Sequence, residues 1–355
     1  MKGALFGWDI GGAHLKLASL DEEGRLLAVH QIACPLWQGL AQLEQACAIL
    51  GTAAMAPQAV HAVTMTGELC DVFADRASGV RDILAGLRRV LGPRATISVY
   101  GGEQSWLSPT MAAEAAHAVA SANWLALASL VARSVTQGVL LDIGSTTTDV
   151  ILIENGVVCC RGRDDAARLA TGELVYTGVV RTPLMAVCRQ VPVQGIWQNL
   201  AAEYFATMAD VYRLLGLLDE AHDQMATADG RSKDVDASAR RVARMLGRDF
   251  GSDASLADMR GVARHVARAQ AREIEDAVAL QASRARSAGE TLAIIGAGAG
   301  AFLAAQIAQS TGRQFVAFQA WLELDETDTT LAAAAALAAP AVAVARLARL
   351  ARLAR

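Results

Sequence analysis

Several chemistries are excluded by what the sequence lacks. It has six cysteines, Cys34, Cys47, Cys70, Cys159, Cys160 and Cys188, but no CxxC pair, so neither a zinc ribbon nor a thioredoxin-type redox motif is expected. The scattered thiols suit a reducing cytoplasm. The six histidines show no HxxxH or HxH spacing, which argues against a zinc site. Charge is sparse: 19% of the 355 residues are charged and the formal net charge is -4, so no nucleic-acid or acidic-membrane partner is expected. The longest apolar run, Leu331 to Ala345, contains Pro340 and falls short of the roughly 20 residues a membrane span needs. Its expected place is the protein interior. Met1-Lys2 leads straight into a strand pattern, with no signal-peptide pattern.

What is present is apolar and periodic. Hydrophobic residues make up 53% of the chain, enough for large cores. Leu5–Ile10 reads as a buried strand, followed by two strands joined at "DEEGR" with Gly24 in the turn. Strands at Ala59–Met65 and Ala95–Tyr100 alternate with helices near 36–50, 80–91 and 110–133. The pattern restarts after Gln137-Gly138 with "VLLDIG", "TTTDVILIENG" and "VVCCRG" as three further strands. A mostly helical, charge-rich region runs to about residue 287 and contains the loop "ADGRSKD". "TLAIIGAGAGAFLAAQIA" then reads as strand, glycine turn and helix, "QFVAFQ" as a last strand, and the C-terminus as helix. The final "RLARLARLAR" is expected to be a solvated or frayed tail. The two halves therefore open alike, which points to an internal duplication.

Each half places an aspartate at the carboxyl end of its first strand. There a carboxylate points into the crevice where open α/β sheets bind ligands. Asp9-Ile10-Gly11-Gly12 and Asp142-Ile143-Gly144-Ser145-Thr146-Thr147 combine that carboxylate with glycines and hydroxyls able to cradle phosphate. Carboxylate repels phosphate, so a cation must lie between them. Magnesium, held by Asp9 and Asp142, suits this role. Lys16 points at the same anion or is a surface strand lysine. Gly296, Gly298 and Gly300 give GxGxG, which departs from the dinucleotide-binding spacing.

These three pieces, in this order, resemble the phosphate-1, phosphate-2 and adenosine motifs of the actin/sugar-kinase/Hsp70 ATPase superfamily. The resemblance implies an α/β fold of two ribonuclease-H-like domains around a central phosphate-binding cleft. Residues 1–135 would form the first, with 331–355 packing back on it; 136–330 would form the second, with a helical insertion at about 185–287. It also makes Gly296 and Gly298 phosphate-binding candidates.

"VTMTGELCDVF", "SANWLALA", "LATGELVYTGVVRTPL" and "TADGRSKD" further resemble the hydantoinase-A-like proteins of one-carbon metabolism, in particular the branch serving methanofuran biosynthesis. That resemblance implies a transferase joining an aminomethylfuran-methyl diphosphate to the phenol oxygen of γ-glutamyltyramine, with release of diphosphate. Its partners would be small molecules, and a homo-oligomer stays open. An ATP-dependent small-molecule kinase, a hydantoinase/oxoprolinase-type hydrolase and a non-catalytic nucleotide-binding protein are the alternatives. Glu68, Glu103 and Glu173 are base candidates, each equally readable as a helix cap or loop glutamate. Tyr176, Arg181 and Arg231 are substrate-orienting candidates, and Leu169–Leu184 is expected to line the mouth of the cleft.

Overall fold

The computed structural model describes residues 4–50, 59–102, 106–286, 292–325 and 327–354. The first sheet contains β1 (Leu5–Ile10), β2 (His14–Leu20), β3 (Leu26–Ala33), β4 (Val60–Met65), β5 (Thr96–Tyr100) and β6 (Trp106–Leu107), in the order β3-β2-β1-β4-β5-β6. β1 to β3 form an antiparallel meander, and β4 and β5 add in parallel to β1. Gly24, at φ +86°, turns the chain between β2 and β3.

The second half repeats the plan. β7 (Gln137–Ile143), β8 (Thr148–Glu154) and β9 (Val157–Val158) form the meander, and β10 (Leu174–Val175) also pairs with β8. β11 (Gln190–Val193) and β12 (Ile196–Asn199) form a separate hairpin within the region expected to be mostly helical. β13 (Ala293–Ala297) then joins β7 in parallel, and β14 (Phe315–Ala317) joins β13. This is the actin/sugar-kinase/Hsp70-type architecture. The expected third strand "VVCCRG" shrinks to Val157–Val158, because the chain leaves the sheet at Cys159 and β10 takes up the remaining edge. The helices expected between 110 and 133 are Pro109–Glu114, Ala116–Val119 and Asn123–Val131, parted at Ala115 and at Ser121, whose φ is +51°.

The core has three layers. Leu43, Ile83 and Leu87 cover one face of the first sheet at Trp8, Leu15 and Val63. Helices Met208–Leu214, Val235–Met245, Leu256–Ala282 and Ala301–Ser310 cover one face of the second. Between the sheets, Trp124 and Leu127 of helix Asn123–Val131 and Val342 and Val344 of helix Ala339–Leu353 meet Ala18, Ala62, Leu140, Ile151 and Ile295.

The closeness of this middle layer explains its alanine content. A Cβ on Gly7 would collide with the Ala341 carbonyl and lie 2.7 Å from the Ala345 methyl. The "RLARLARLAR" tail is therefore no frayed end. Its residues 346–353 belong to helix Ala339–Leu353, with Ala348 buried and Arg346 donating to the Leu322 carbonyl at 2.6 Å. Among the described residues no single helix is long and apolar enough to cross a membrane; the bent pair Thr329–Leu337 and Ala339–Leu353 passes only by combined length and composition, and residues 338–345 are buried.

Candidate active site

The β1–β2 and β7–β8 hairpins are closed by the same turn: Gly11 N–H donates to His14 O at 3.0 Å and Gly144 N–H to Thr147 O at 2.8 Å. Both open onto one cavity of about 480 Å³ between the halves. Asp9, Gly11, Gly12 and Lys16 line it from the first half, and Asp142, Gly144, Ser145, Thr146 and Thr147 from the second. The volume suits a small-molecule substrate.

The register of each hairpin fixes what faces each aspartate. Asp9 pairs with Lys16 across β1–β2, and Asp142 pairs with Asp149 across β7–β8. Directly opposite residues project from the same face of an antiparallel pair. Lys16 Nζ accordingly lies 3.9 Å from Asp9 Oδ2. The equivalent place in the second half holds the reverse charge, and Arg168 answers it, its guanidinium 2.6 Å from Asp149 Oδ1 and 4.0 Å above the Trp124 ring.

The site gathers more acid than base. Asp9, Asp71, Asp142, Asp149 and Asp165 line it, against Lys16, Arg168 and Arg181. Burial, reinforced by Asp149 and Asp9, pushes Asp142 up to about 7, with Lys16 opposing. Burial also raises Asp9, against Lys16, and Asp149, against Arg168. His14 moves the other way: burial, Lys16 and Arg181 push it down to about 3, so its ring is neutral. Among the described residues no three His, Cys, Asp or Glu side chains are grouped to enclose a metal ion. A magnesium ion sharing phosphate oxygens and water takes only one or two carboxylates, however. Asp9 Oδ1 fits that demand, being buried with no hydrogen-bond partner among the described residues.

The segment after β10 is strapped to the second hairpin. Val179 N–H donates to Gly144 O at 3.1 Å, and Arg181 N–H to Ser145 O at 2.8 Å. Gly178 is required there, since a Cβ would lie 2.5 Å from Ser145 C and Thr146 N. Leu174, Tyr176 and Arg181 line the cavity from this segment, and the Arg181 guanidinium sits 4.8 Å above the Trp37 ring of the other half.

Other expected site residues lie elsewhere. Glu173 does not line the cavity. Its carboxylate accepts from Arg161 N at 2.6 Å, Gly162 N at 2.7 Å, Thr171 Oγ1 at 3.0 Å and Arg284 Nη1 at 3.0 Å, so it fastens the frame instead of facing a substrate. Gly296 is a buried strand residue whose missing side chain admits the Phe315 ring, 2.5 Å from where its Cβ would stand. Gly298, at φ +81°, lets the turn pass Asp142, whose Oδ1 would lie 2.5 Å from a Cβ. Neither glycine reaches the cavity surface. Arg231 is exposed in its loop, away from the cavity, and Lys233 is tied to Asp223 at 3.2 Å. Glu103 lies outside the described residues.

Glu68 stands just behind the wall. Its Oε1 accepts from Ser121 Oγ at 2.9 Å, and Ser121 lines the cavity and lies 3.1 Å from Asp165 Oδ2. Glu68 Oε2 is buried without a partner among the described residues, and burial raises its pKa despite the Ser121 hydrogen bond. Ser121 holds this position in a left-handed backbone conformation, unusual for a residue with a side chain. Asp149, Ser121, Asp165, Arg168 and Trp37 were not singled out from sequence. For Asp149 a signal existed: it follows Asp142 by seven residues, as Lys16 follows Asp9. Ser121 carried none, because its placement depends on a backbone kink.

The hydantoinase/oxoprolinase family pattern matches residues 59–349. The (4-{4-[2-(γ-L-glutamylamino)ethyl]phenoxymethyl}furan-2-yl)methanamine synthase of Methanocaldococcus jannaschii is 32% identical over 261 residues, 73% of this chain and 76% of that protein. The protein of the same name from Methanococcus vannielii is 34% identical over 112 residues, 32% of this chain and 50% of that one. Among solved structures, nucleotide-free acetone carboxylase superposes with a TM-score of 0.57 at 12% identity, covering 88% of this chain and 68% of its own, a likeness of fold.

Proposed function

The chain belongs to the hydantoinase/oxoprolinase family, and on that premise we propose that it is an ether-forming transferase of methanofuran biosynthesis. It joins the exocyclic carbon of an aminomethylfuran-methyl diphosphate to the phenol oxygen of a γ-glutamyltyramine-like substrate and releases diphosphate. The phenoxymethyl-furan linkage in the names of the two archaeal relatives is the bond such a reaction makes.

The observation that carries the reading is the contrast between the two hairpins and the glycine turn. Both hairpins open on the cavity, whereas Gly298 N–H donates to Ala336 O at 2.9 Å and Gly300 N–H to Ile143 O at 2.8 Å. Two of the turn's amides are thus engaged within the chain. Two phosphate-type hairpins beside an internally engaged third motif favour a diphosphate over a nucleotide.

Lys16, Arg181 and the hairpin backbones would hold the leaving group, donors aimed at the charge that develops as it departs. Magnesium held by Asp9 and Asp142 would supply the positive charge that the acid-rich lining lacks. The Trp37 and Tyr176 rings offer flat walls for furan and phenol. The carbon–oxygen bond to diphosphate breaks as positive charge spreads into the furan ring, and the phenol oxygen closes on the exocyclic carbon. The phenol proton passes to Ser121 Oγ while the Ser121 proton passes to Glu68 Oε1, a base kept strong by its burial.

Turnover of the furan-methyl diphosphate with γ-glutamyltyramine in magnesium buffer without ATP tests this. Equal amounts of ether and diphosphate are expected. A strict requirement for ATP would replace the reading with a kinase or an oxoprolinase-type hydrolase.

A further inference from the structure

A second cavity, of about 540 Å³, lies on another part of the molecule and shares no lining residue with the first. It is bounded by the β2–β3 turn, the end of helix Asn123–Val131, residues 321–323 and helix Ala339–Leu353. Its charged lining is Arg25, Arg133, Arg346 and Arg349 against Glu23 and Glu323, a formal balance of four positive to two negative. Trp321, Leu130 and Leu350 complete the wall with apolar surface.

We propose that this cavity is a second binding site, for a small molecule bearing a phosphate or diphosphate group. The arginines are held in place without being satisfied. Arg346 donates to the Trp321 and Leu322 carbonyls at 3.4 and 2.6 Å, yet its Nε is buried with no acceptor among the described residues. The Nε of Arg349 is buried and unpartnered in the same sense. A buried donor left unmet costs free energy that an oxyanion placed there would recover. The two guanidinium groups also repel: Arg349 helps hold Arg346 below the usual arginine range, after burial and against Glu323.

The backbone is shaped around this cluster. Gly24, at φ +86°, leaves the space in which the Arg349 side chain lies, its Cδ 2.5 Å from where a Cβ would stand. Glu323, at φ +52°, is one of four residues other than glycine in the left-handed region among the described residues. An excess of two positive charges matches one phosphate dianion, and guanidinium forks fit phosphate oxygens geometrically. The apolar wall would take the organic part of the ligand. One helix joins the two cavities: Pro340 borders the first, and Arg346 and Arg349 the second, about 9–14 Å further along its axis.

The test is calorimetric titration of inorganic phosphate, and separately of diphosphate, into the full-length protein in magnesium-free buffer with chelator. Under those conditions the acid-rich first cavity lacks the cation that would let it hold an anion. One anion is expected to bind per chain. Arg349→Ala and Arg133→Ala should each weaken it on the order of tenfold or more, while Lys16→Ala, which removes a cation of the first cavity, leaves it unchanged. Melting curves without anion, in which Arg349→Ala melts no lower than the parent, separate loss of a ligand contact from loss of a structural bolt. The proposal is overturned if no anion binds, if both arginine variants bind as tightly as the parent, if binding disappears in Lys16→Ala, or if Arg349→Ala weakens binding only by lowering the melting temperature.

Discussion

At the scale of single residues, burial decides which carboxylates face chemistry and which hold the frame. Glu68 is buried, bonded to one hydroxyl, and that hydroxyl reaches the cavity. Glu68→Gln should therefore cut kcat on the order of 100-fold or more and abolish the rise in kcat/KM on the acidic side of the pH profile. That rise should sit above the ordinary glutamate range, because burial raises the Glu68 pKa. Retention of the parent profile in Glu68→Gln would move the base elsewhere. Glu173 gives the opposite expectation. Glu173→Gln weakens its bond to Arg284 in a buried setting, so it should lower the melting temperature by several degrees, while kcat of the folded enzyme stays within about twofold of the parent. Sequence could not separate the two, since each stands in a "TGEL". The second copy leads into β10, where Arg161, Gly162 and Arg284 close around its glutamate, and Arg284 comes from a distant part of the chain. Asp142 makes a further prediction. Its folded value, about 7, lies above its ordinary value of 3.8, so the native state holds a proton that the unfolded state releases first. The stability this proton contributes is complete below about pH 4 and is lost as pH rises to 7. Asp142→Asn should flatten the fall in melting temperature between pH 5 and 8; an unchanged slope would show that Asp142 titrates normally.

At the scale of elements, the paired hairpins were legible because strand, aspartate and glycine turn are local features. Their registers were legible too, once Asp9–Lys16 and Asp142–Asp149 are seen at the same spacing. The glycine turn was legible as a turn but not by role. Its Gly298 serves the close passage beside Asp142, and its amide is spent on Ala336 from a helix some 40 residues onward, which no local pattern announces. Gly298→Ala should cost about 1–3 kcal/mol or more through φ strain, with added crowding at Asp142. Its readout is a lower melting temperature together with reduced turnover, whereas a variant matching the parent in both would remove the role given to this turn. The C-terminus is helical as expected, and only its arginine-rich end departs from the expected frayed tail, for a related reason. A three-residue arginine repeat drifts around a helix and looks solvated, yet it continues the helix whose Ala341 and Ala345 fit against Gly7, and its own Ala348 is buried.

At the scale of the whole molecule, duplication carried most of what the sequence revealed: two sheets of like topology, each contributing one hairpin to a shared cavity. What it hid were contacts made only when the halves meet. Arg181 over Trp37, Arg168 over Trp124 and Arg76 paired with Asp165 at 2.9 Å all join residues far apart in the chain. These cross-contacts turn two half-sites into one and set the size of the space between them. A crystal structure with magnesium and diphosphate bound tests the shared cavity most directly. One diphosphate is expected, contacted by Gly11-Gly12 and by Ser145-Thr146 together, with Asp9 and Asp142 on the metal side. Diphosphate held by one hairpin alone, or an adenine nucleotide seated against Gly296–Gly300 in its place, would contradict it.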